Sequence, residues 1–173
     1  MLTAQPFAES LSTWLGDTTS DTREMEGWRP GAVSPFQWMT TASAFSDTGG
    51  LVNGDELAEL IREHSLLNAQ SLPAQPVSMV ARWIVSRSVV VIDSPWGHVL
   101  PLFQFDLPRA TVHPAMPMVL AELGGVLEGA ELALWFVTPN EWLGGERPAI
   151  AMQNTLQAVR HAARADRYVA LGG

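Results

Sequence analysis

The chain has 173 residues, 47% of them hydrophobic, with a formal net charge of −8 and no cysteine. That length holds one ordinary domain with a full core, or such a domain plus a small N-terminal piece, and the composition is that of a globular chain. The missing thiols exclude disulfides, thiol nucleophiles and thiolate metal sites. The acidity disfavours general nucleic-acid binding, which rests on neutralising phosphates, except through a local basic patch.

Charge is unevenly spread. Residues 1–63 hold ten Asp and Glu against Arg23, Arg29 and Arg62, and all ten basic residues of the chain are Arg. Such a balance suits a partner with a basic surface, and equally serves plain solubility. The N-terminus has no basic stretch leading into an apolar one, and no apolar run is long enough to cross a bilayer, so a soluble cytoplasmic protein is expected.

Residues 1–34 are weakly patterned. Phe7, Leu11, Trp14 and Leu15 allow a short amphipathic helix, and Asp17–Pro30 reads as a loop or arm carrying Trp28. Ser34-Pro35 is a helix start, followed by Phe36, Met39, Ala42 and Phe45 at helical spacings and closed by Asp47 and Gly49-Gly50. Asn53-Gly54-Asp55-Glu56 opens a second helix with acids at the positive end of its dipole, and Leu57, Leu60 and Ile61 form its buried stripe. Gln75-Pro76 opens a third, through Val80, Ile84 and Val85. The second and third helices make a degenerate helix-turn-helix, with Arg82 and Arg87 as its candidate DNA-contacting residues. Against that, Val77, Ser78 and Met79 occupy the positions that would read bases and are poor at it.

Val89–Ile92 is β-branched, Asp93–Gly97 is a turn, and His98–Phe103 returns, which predicts one small β-hairpin over 89–103. Phe103 and Phe105 should point into the core, with Asp106 capping the next segment. Pro108–Pro117 is expected to be irregular. Met116, Val119, Leu120 and Leu123 predict a helix closed by Gly124-Gly125.

The central stretch is Leu123–Arg147, LGGVLEGAELALWFVTPNEWLGGER. Leu127, Glu131, Leu134 and Val137 share one helical face while Leu132, Trp135 and Phe136 cover much of the rest, so the helix should be buried nearly all round. Pro139 stops it at Thr138, Asn140, Gly144 and Gly145 supply a turn, and Arg147-Pro148 opens the next helix. Asn154 is a candidate N-cap for the last helix, in which Leu156, Val159, Ala163 and Tyr168 line up and Arg160, Arg164 and Arg167 share a side. The expected fold is mainly α, a helical bundle-like domain with the hairpin. Its expected divisions are an N-terminal segment over 1–50, the helix pair and hairpin over 51–106, and a helical binding domain over 107–173.

Catalytic motifs are lacking. His64, His98, His113 and His161 show no metal-ligand spacing, and neither a Gly-rich phosphate loop nor a nucleophile elbow is present. An enzyme using His98, His113 and nearby acids is a remote alternative. No catalytic residue, metal or cofactor is expected.

Leu134-Trp135-Phe136, Thr138-Pro139-Asn140, Leu143-Gly144-Gly145 and Arg147-Pro148, in that order, resemble the toxin-binding domain of the Xre/MbcA/ParS-type antitoxins. Leu100–Asp106 (LPLFQFD) and Leu156–Ala163 (LQAVRHAA) are similar to two further stretches of that family. The resemblance spans about Val77 to Ala170. It implies a non-catalytic antitoxin that blocks the active site of a toxin enzyme, typically a RES-fold, NAD-consuming one. The residues it implicates are Trp142, Leu143, Gly144, Gly145, Glu146 and Arg147, with Arg160, Arg164 and Arg167 of the last helix as a second group. Independently, a turn carrying Trp and Arg on a helical frame has the composition of an interface anchor. The competing expectation is that Trp142 packs back on Trp135 and that Arg147 caps a helix C-terminus. Residues 1–50 depart from the family in lacking its Xre-type helix-turn-helix, so operator binding is an alternative function rather than an implied one. Seven Trp and an Ala-rich last helix would also serve a homodimer.

Overall fold

The computed structural model describes residues 35–67 and 75–172. The expectations placed on Trp14, Trp28 and Ser34 lie outside those residues. The chain runs α1 (Pro35–Ser43), β1 (Leu51–Val52), α2 (Gly54–Leu67), α3 (Pro76–Val85), β2 (Ile92–Ser94), β3 (Gly97–Pro101), β4 (Phe105–Asp106), β5 (Thr111–Val112), α4 (Ala115–Leu123), α5 (Gly129–Val137), α6 (Pro148–Ala151) and α7 (Leu156–Ala170). Short 3-10 turns fill Ser46–Thr48, Leu102–Gln104, Leu107–Arg109 and Glu141–Leu143. The fold is mainly α, as the patterning predicts, with small antiparallel sheets.

Local chemistry sets several element ends. At the start of α2, Asn53 Oδ1 accepts from the backbone N–H groups of Asp55 and Glu56, while Glu56 Oε2 accepts from Asn53 N at 2.9 Å. This reciprocal box satisfies donors that a helix N-terminus otherwise leaves unpaired. Asp106 caps the 3-10 turn over Leu107–Arg109 through Arg109 N, and Arg109 reaches back to Asp106 Oδ2 at 2.6 Å. The last helix starts one residue later than expected: Thr155 holds the N-cap position and its hydroxyl donates to the Ala151 carbonyl instead of capping α7.

The β-structure differs from the expected single hairpin. β2 and β3 pair with Ile92 opposite Val99, but β1 joins the other edge of β3, giving the order β1-β3-β2. The proline-rich stretch is not wholly irregular, since β5 pairs with β4 in the register Phe105–Val112. Val89–Val91, expected as strand, lies outside any ladder. A side chain replaces the missing neighbour: Gln104, fully buried, accepts from Val90 N at 2.8 Å through Oε1 and donates to Val90 O at 2.9 Å through Nε2. One carboxamide thus serves as a one-residue strand partner, and it must, because buried backbone groups left unpaired are costly.

Among the described residues, two apolar clusters form the core. The first joins Trp38, Phe45, Phe103, Met116, Phe136 and Val159, with the Phe103 and Phe136 rings 4.8 Å apart. The second joins Leu57, Ile61, Val80, Leu100 and Phe105 beneath α2 and α3, and Trp83 stacks on Phe105 at 5.6 Å. The first cluster draws on residues from 38 to 163. α4 and α7 pack along each other, with Ala162 and Ala163 buried between. Tyr168, read in line with Leu156, Val159 and Ala163 on α7, is 68% exposed.

Replacing Gln104 by Ala should destabilise the fold by about 2–6 kcal/mol, about 1–3 for each Val90 group left unpaired. Gln104→Glu should also destabilise it, because its second oxygen would face the Val90 carbonyl. Urea unfolding measures both. A Gln104→Ala loss below about 0.5 kcal/mol, the scale of an ordinary surface substitution, would mean that Val90 finds other partners.

Candidate functional site

α5 packs its apolar side into the first core, while Gly129 and Glu131 at its start are exposed. Leu132, Ala133, Phe136 and Val137 are buried and Trp135 is half-buried, with its ring edge-on to Phe136 at 5.1 Å. The helix ends at Val137, and Thr138, restricted by Pro139, turns to an extended conformation. The chain then emerges at the surface beside α7.

Asn140 organises the emerging loop. Its N–H donates to Glu146 O, its carbonyl accepts from Leu143 N and Gly145 N, and its Oδ1 accepts from Trp142 N at 3.0 Å. Its Nδ2 donates to Asp166 Oδ2 at 2.7 Å, so every polar group of this buried residue is used. Gly144 and Gly145, at φ +66° and +87°, close the turn in the left-handed region that glycine enters without steric cost.

Asp166, on α7, gathers the site. Besides Asn140 it accepts from the indole N–H of Trp135 (Oδ2, 2.7 Å) and from that of Trp142 (Oδ1, 2.8 Å). Trp142 nevertheless remains 60% exposed. It is therefore fixed in orientation with much of its ring in solvent, which corrects the expectation that it packs back on Trp135; Asp166 bridges the two indoles. Trp142 is also the shared wall of two surface grooves. One, of about 380 Å³, is lined by Gln157, Ala158, His161 and Ala162; the other, of about 310 Å³, by Trp135, Thr138, Pro139, Glu141 and Asp166. Tyr168 and Val169, 68% and 64% exposed, extend this apolar face along α7.

The other residues singled out by sequence fall into distinct places. Leu143 is half-buried against the first core, while Gly144, Gly145 and Glu146 are exposed. Arg147 does not cap a helix C-terminus. It occupies the N-cap position of α6 and its Nη2 donates to Asp47 Oδ2 at 3.1 Å, tying the loop to the turn after α1. Arg160, Arg164 and Arg167 do come together, around Glu122 of α4. Arg164 donates to Glu122 Oε1 from Nε (3.2 Å) and Nη2 (2.9 Å), with Arg160 Nε 3.7 Å from the same oxygen and Arg167 Nη1 3.6 Å from Oε2. The Arg164 hydrogen bond, with the three positive charges behind it, holds the Glu122 carboxyl below the usual carboxylate range against the opposing effect of desolvation.

Arg82 and Arg87 are exposed on α3 and in the turn after it, Arg87 at φ +53°. His98 pairs with Asp93 across β2 and β3 at 2.7 Å, whereas His113 Nδ1 accepts from Ala115 N at 3.2 Å at the start of α4. Among the described residues, no group of three or more His, Asp or Glu could hold a metal, and no helix is long and apolar enough to cross a membrane. Asp166 is the residue that sequence reasoning missed. Its one visible signal is that it is the sole acid in α7. Comparison with protein families, with characterised proteins and with solved structures gives no match.

Asp166→Asn should free Trp142 while keeping the Trp135 and Asn140 bonds, because the new amide would meet the Trp142 N–H donor to donor. The loss should be about 1.5–3 kcal/mol, as for one hydrogen bond to a charged group. The Trp142 indole N–H resonance should lose its hydrogen-exchange protection while that of Trp135 keeps it; equal loss at both would show that the carboxylate does not hold the two indoles separately.

Burial lowers the His113 pKa from its ordinary 6.5, and the Asp106 charge only partly restores it. The unfolded state therefore binds the proton first, so stability should be greatest above pH 6.5 and fall as pH drops from there toward the depressed folded value. His113→Asn, whose Oδ1 can accept from Ala115 N without titrating, should flatten that part of the Tm–pH curve. Parallel curves for the two proteins would show that His113 does not contribute.

Proposed function

We propose that this chain is a non-catalytic antitoxin-like protein that binds a toxin enzyme, of RES type, through the Trp142 loop and the outer face of α7, and blocks its active site. The observation that carries the proposal is Trp142: a large aromatic, 60% exposed, held at a set angle by Asp166 and flanked by two grooves. Exposed aromatic surface of this kind is unfavourable in the free protein and contributes strongly when a partner desolvates it. Holding it in advance lowers the entropy lost on binding. Tyr168 and Val169 on the same side of α7 widen the apolar centre. The resemblance of the Leu134–Pro148 and Leu156–Ala163 stretches to antitoxin toxin-binding domains supplies the class of partner.

Co-expression with the product of the adjacent gene tests this. The two should co-elute in size-exclusion chromatography with light scattering, and the chain should suppress the partner's toxicity and NAD loss in the host. Trp142→Ala should weaken the complex about 30-fold or more, equivalent to about 2 kcal/mol. A harmless neighbour and a chain that elutes alone would remove the proposal.

A further inference from the structure

We infer that Arg160 and Arg167 form an anion-binding pair that takes a carboxylate-bearing, acidic segment of the protein partner, with Arg164 as the residue that positions them. This rests on the proposal that the outer face of α7 binds a protein.

The three guanidiniums surround a single carboxylate, leaving a local excess of two positive charges in a chain whose net charge is −8. Their roles are unequal. Glu122, its side chain only 11% exposed, spends its Oε1 on the two-point contact with Arg164. Arg160 and Arg167, at 3.7 and 3.6 Å, lie within the range of ion pairing but beyond that of a good hydrogen bond. Among the described residues neither donates a side-chain hydrogen bond to a protein group, and their side chains are 43% and 47% exposed. Each keeps the five-donor fork that matches a carboxylate in two-point geometry. Arg160 and Arg167 are seven residues apart, two turns of α7 on one side, with Arg164 between.

The surroundings select among anions. Arg164 lies three residues from His161 and four from Tyr168, so the basic stripe borders the apolar face beside Trp142. An acidic peptide segment with apolar neighbours satisfies both halves of that surface. A nucleic-acid backbone is a poorer match, because the chain's overall acidity repels a polyanion.

Fluorescence anisotropy on the full chain at low ionic strength, with a short fluorescein-labelled peptide carrying two Glu among apolar residues, tests the site, and an oligo-dT of similar length tests the competing anion. The peptide should bind, and Arg160→Ala and Arg167→Ala should each weaken it about two- to fivefold, the range for losing one exposed ion pair. Glu122→Gln, which removes the competing carboxylate, should tighten it. Arg164→Ala should weaken it and also lower Tm, which the other two arginine variants should not. Peptide binding indifferent to both Arg160 and Arg167, or tighter arginine-dependent binding of oligo-dT, would overturn the inference. Arginine-dependent peptide binding without any complex with the adjacent gene's product would leave this site standing and remove the antitoxin proposal. A complex that needs Trp142 but neither arginine would do the reverse.

Discussion

A single carboxylate takes three N–H donors from the end of α5 and the loop that follows it, and the candidate binding face depends on that convergence. Asp166 accepts from Trp135 at the end of α5, and from Asn140 and Trp142 in the loop beyond it. Hydrogen bonds to a charged acceptor contribute about 1.5–3 kcal/mol each, about twice the neutral value. The bond to Asp166 holds the Trp142 indole by its polar edge. A side chain whose hydrophobicity favours burial is thereby kept at the surface.

The rest of the fold makes that convergence possible. α5 is apolar on most sides, and the only way to shelter it is to surround it with α6, β2 and the turn after β3. Its C-terminus is thus fixed in the core, and Pro139 forces the chain out at one place. α7 must then run past that exit, and its register is set by its packing on α4, where Val159, Ala162 and Ala163 are buried. Glu122 fixes the same helix from the α4 side through Arg164. Two carboxylates therefore hold α7: Asp166 projects from it to the loop, and Glu122 reaches it from the neighbouring helix.

Local chemistry was legible in the sequence, and distant pairing was not. The helix start at Asn53–Glu56, the stop at Thr138-Pro139, the Asn140–Gly145 turn and the start at Pro148 each involve residues within a few positions of one another. Steric rules and capping preferences decide such features with little help from tertiary structure. Gln104 and Val90 are fourteen residues apart, and a β-branched run at Val89–Ile92 gives no hint that a side chain would replace its strand neighbour. β1 has only two residues, too few for an alternating pattern to register. Asp166 lies 31 residues from Trp135 and 24 from Trp142. Its isolation among arginines in α7 was visible, but only the packed helices reveal which donors it meets. The same limit applied to Trp142, for which an outward and an inward placement were chemically equal until the position of α7 decided between them.

Charge distribution on α7 argues that the arginine stripe does more than stabilise the helix. Arg160 and Arg164 stand in an i, i+4 relation, and Arg164 and Arg167 in an i, i+3 relation; like charges so placed oppose each other by about 0.2–0.5 kcal/mol per pair. Near the C-terminus the helix dipole offsets this for Arg167 but reaches only about one turn. Glu122 can neutralise one of the three, and Arg164 already occupies it at hydrogen-bond distance. Helix stability would be better served by one arginine and two neutral residues. What the second and third guanidiniums add is an exposed, oriented positive edge beside an exposed aromatic, and that juxtaposition gains free energy when a surface carrying anionic and apolar groups covers both.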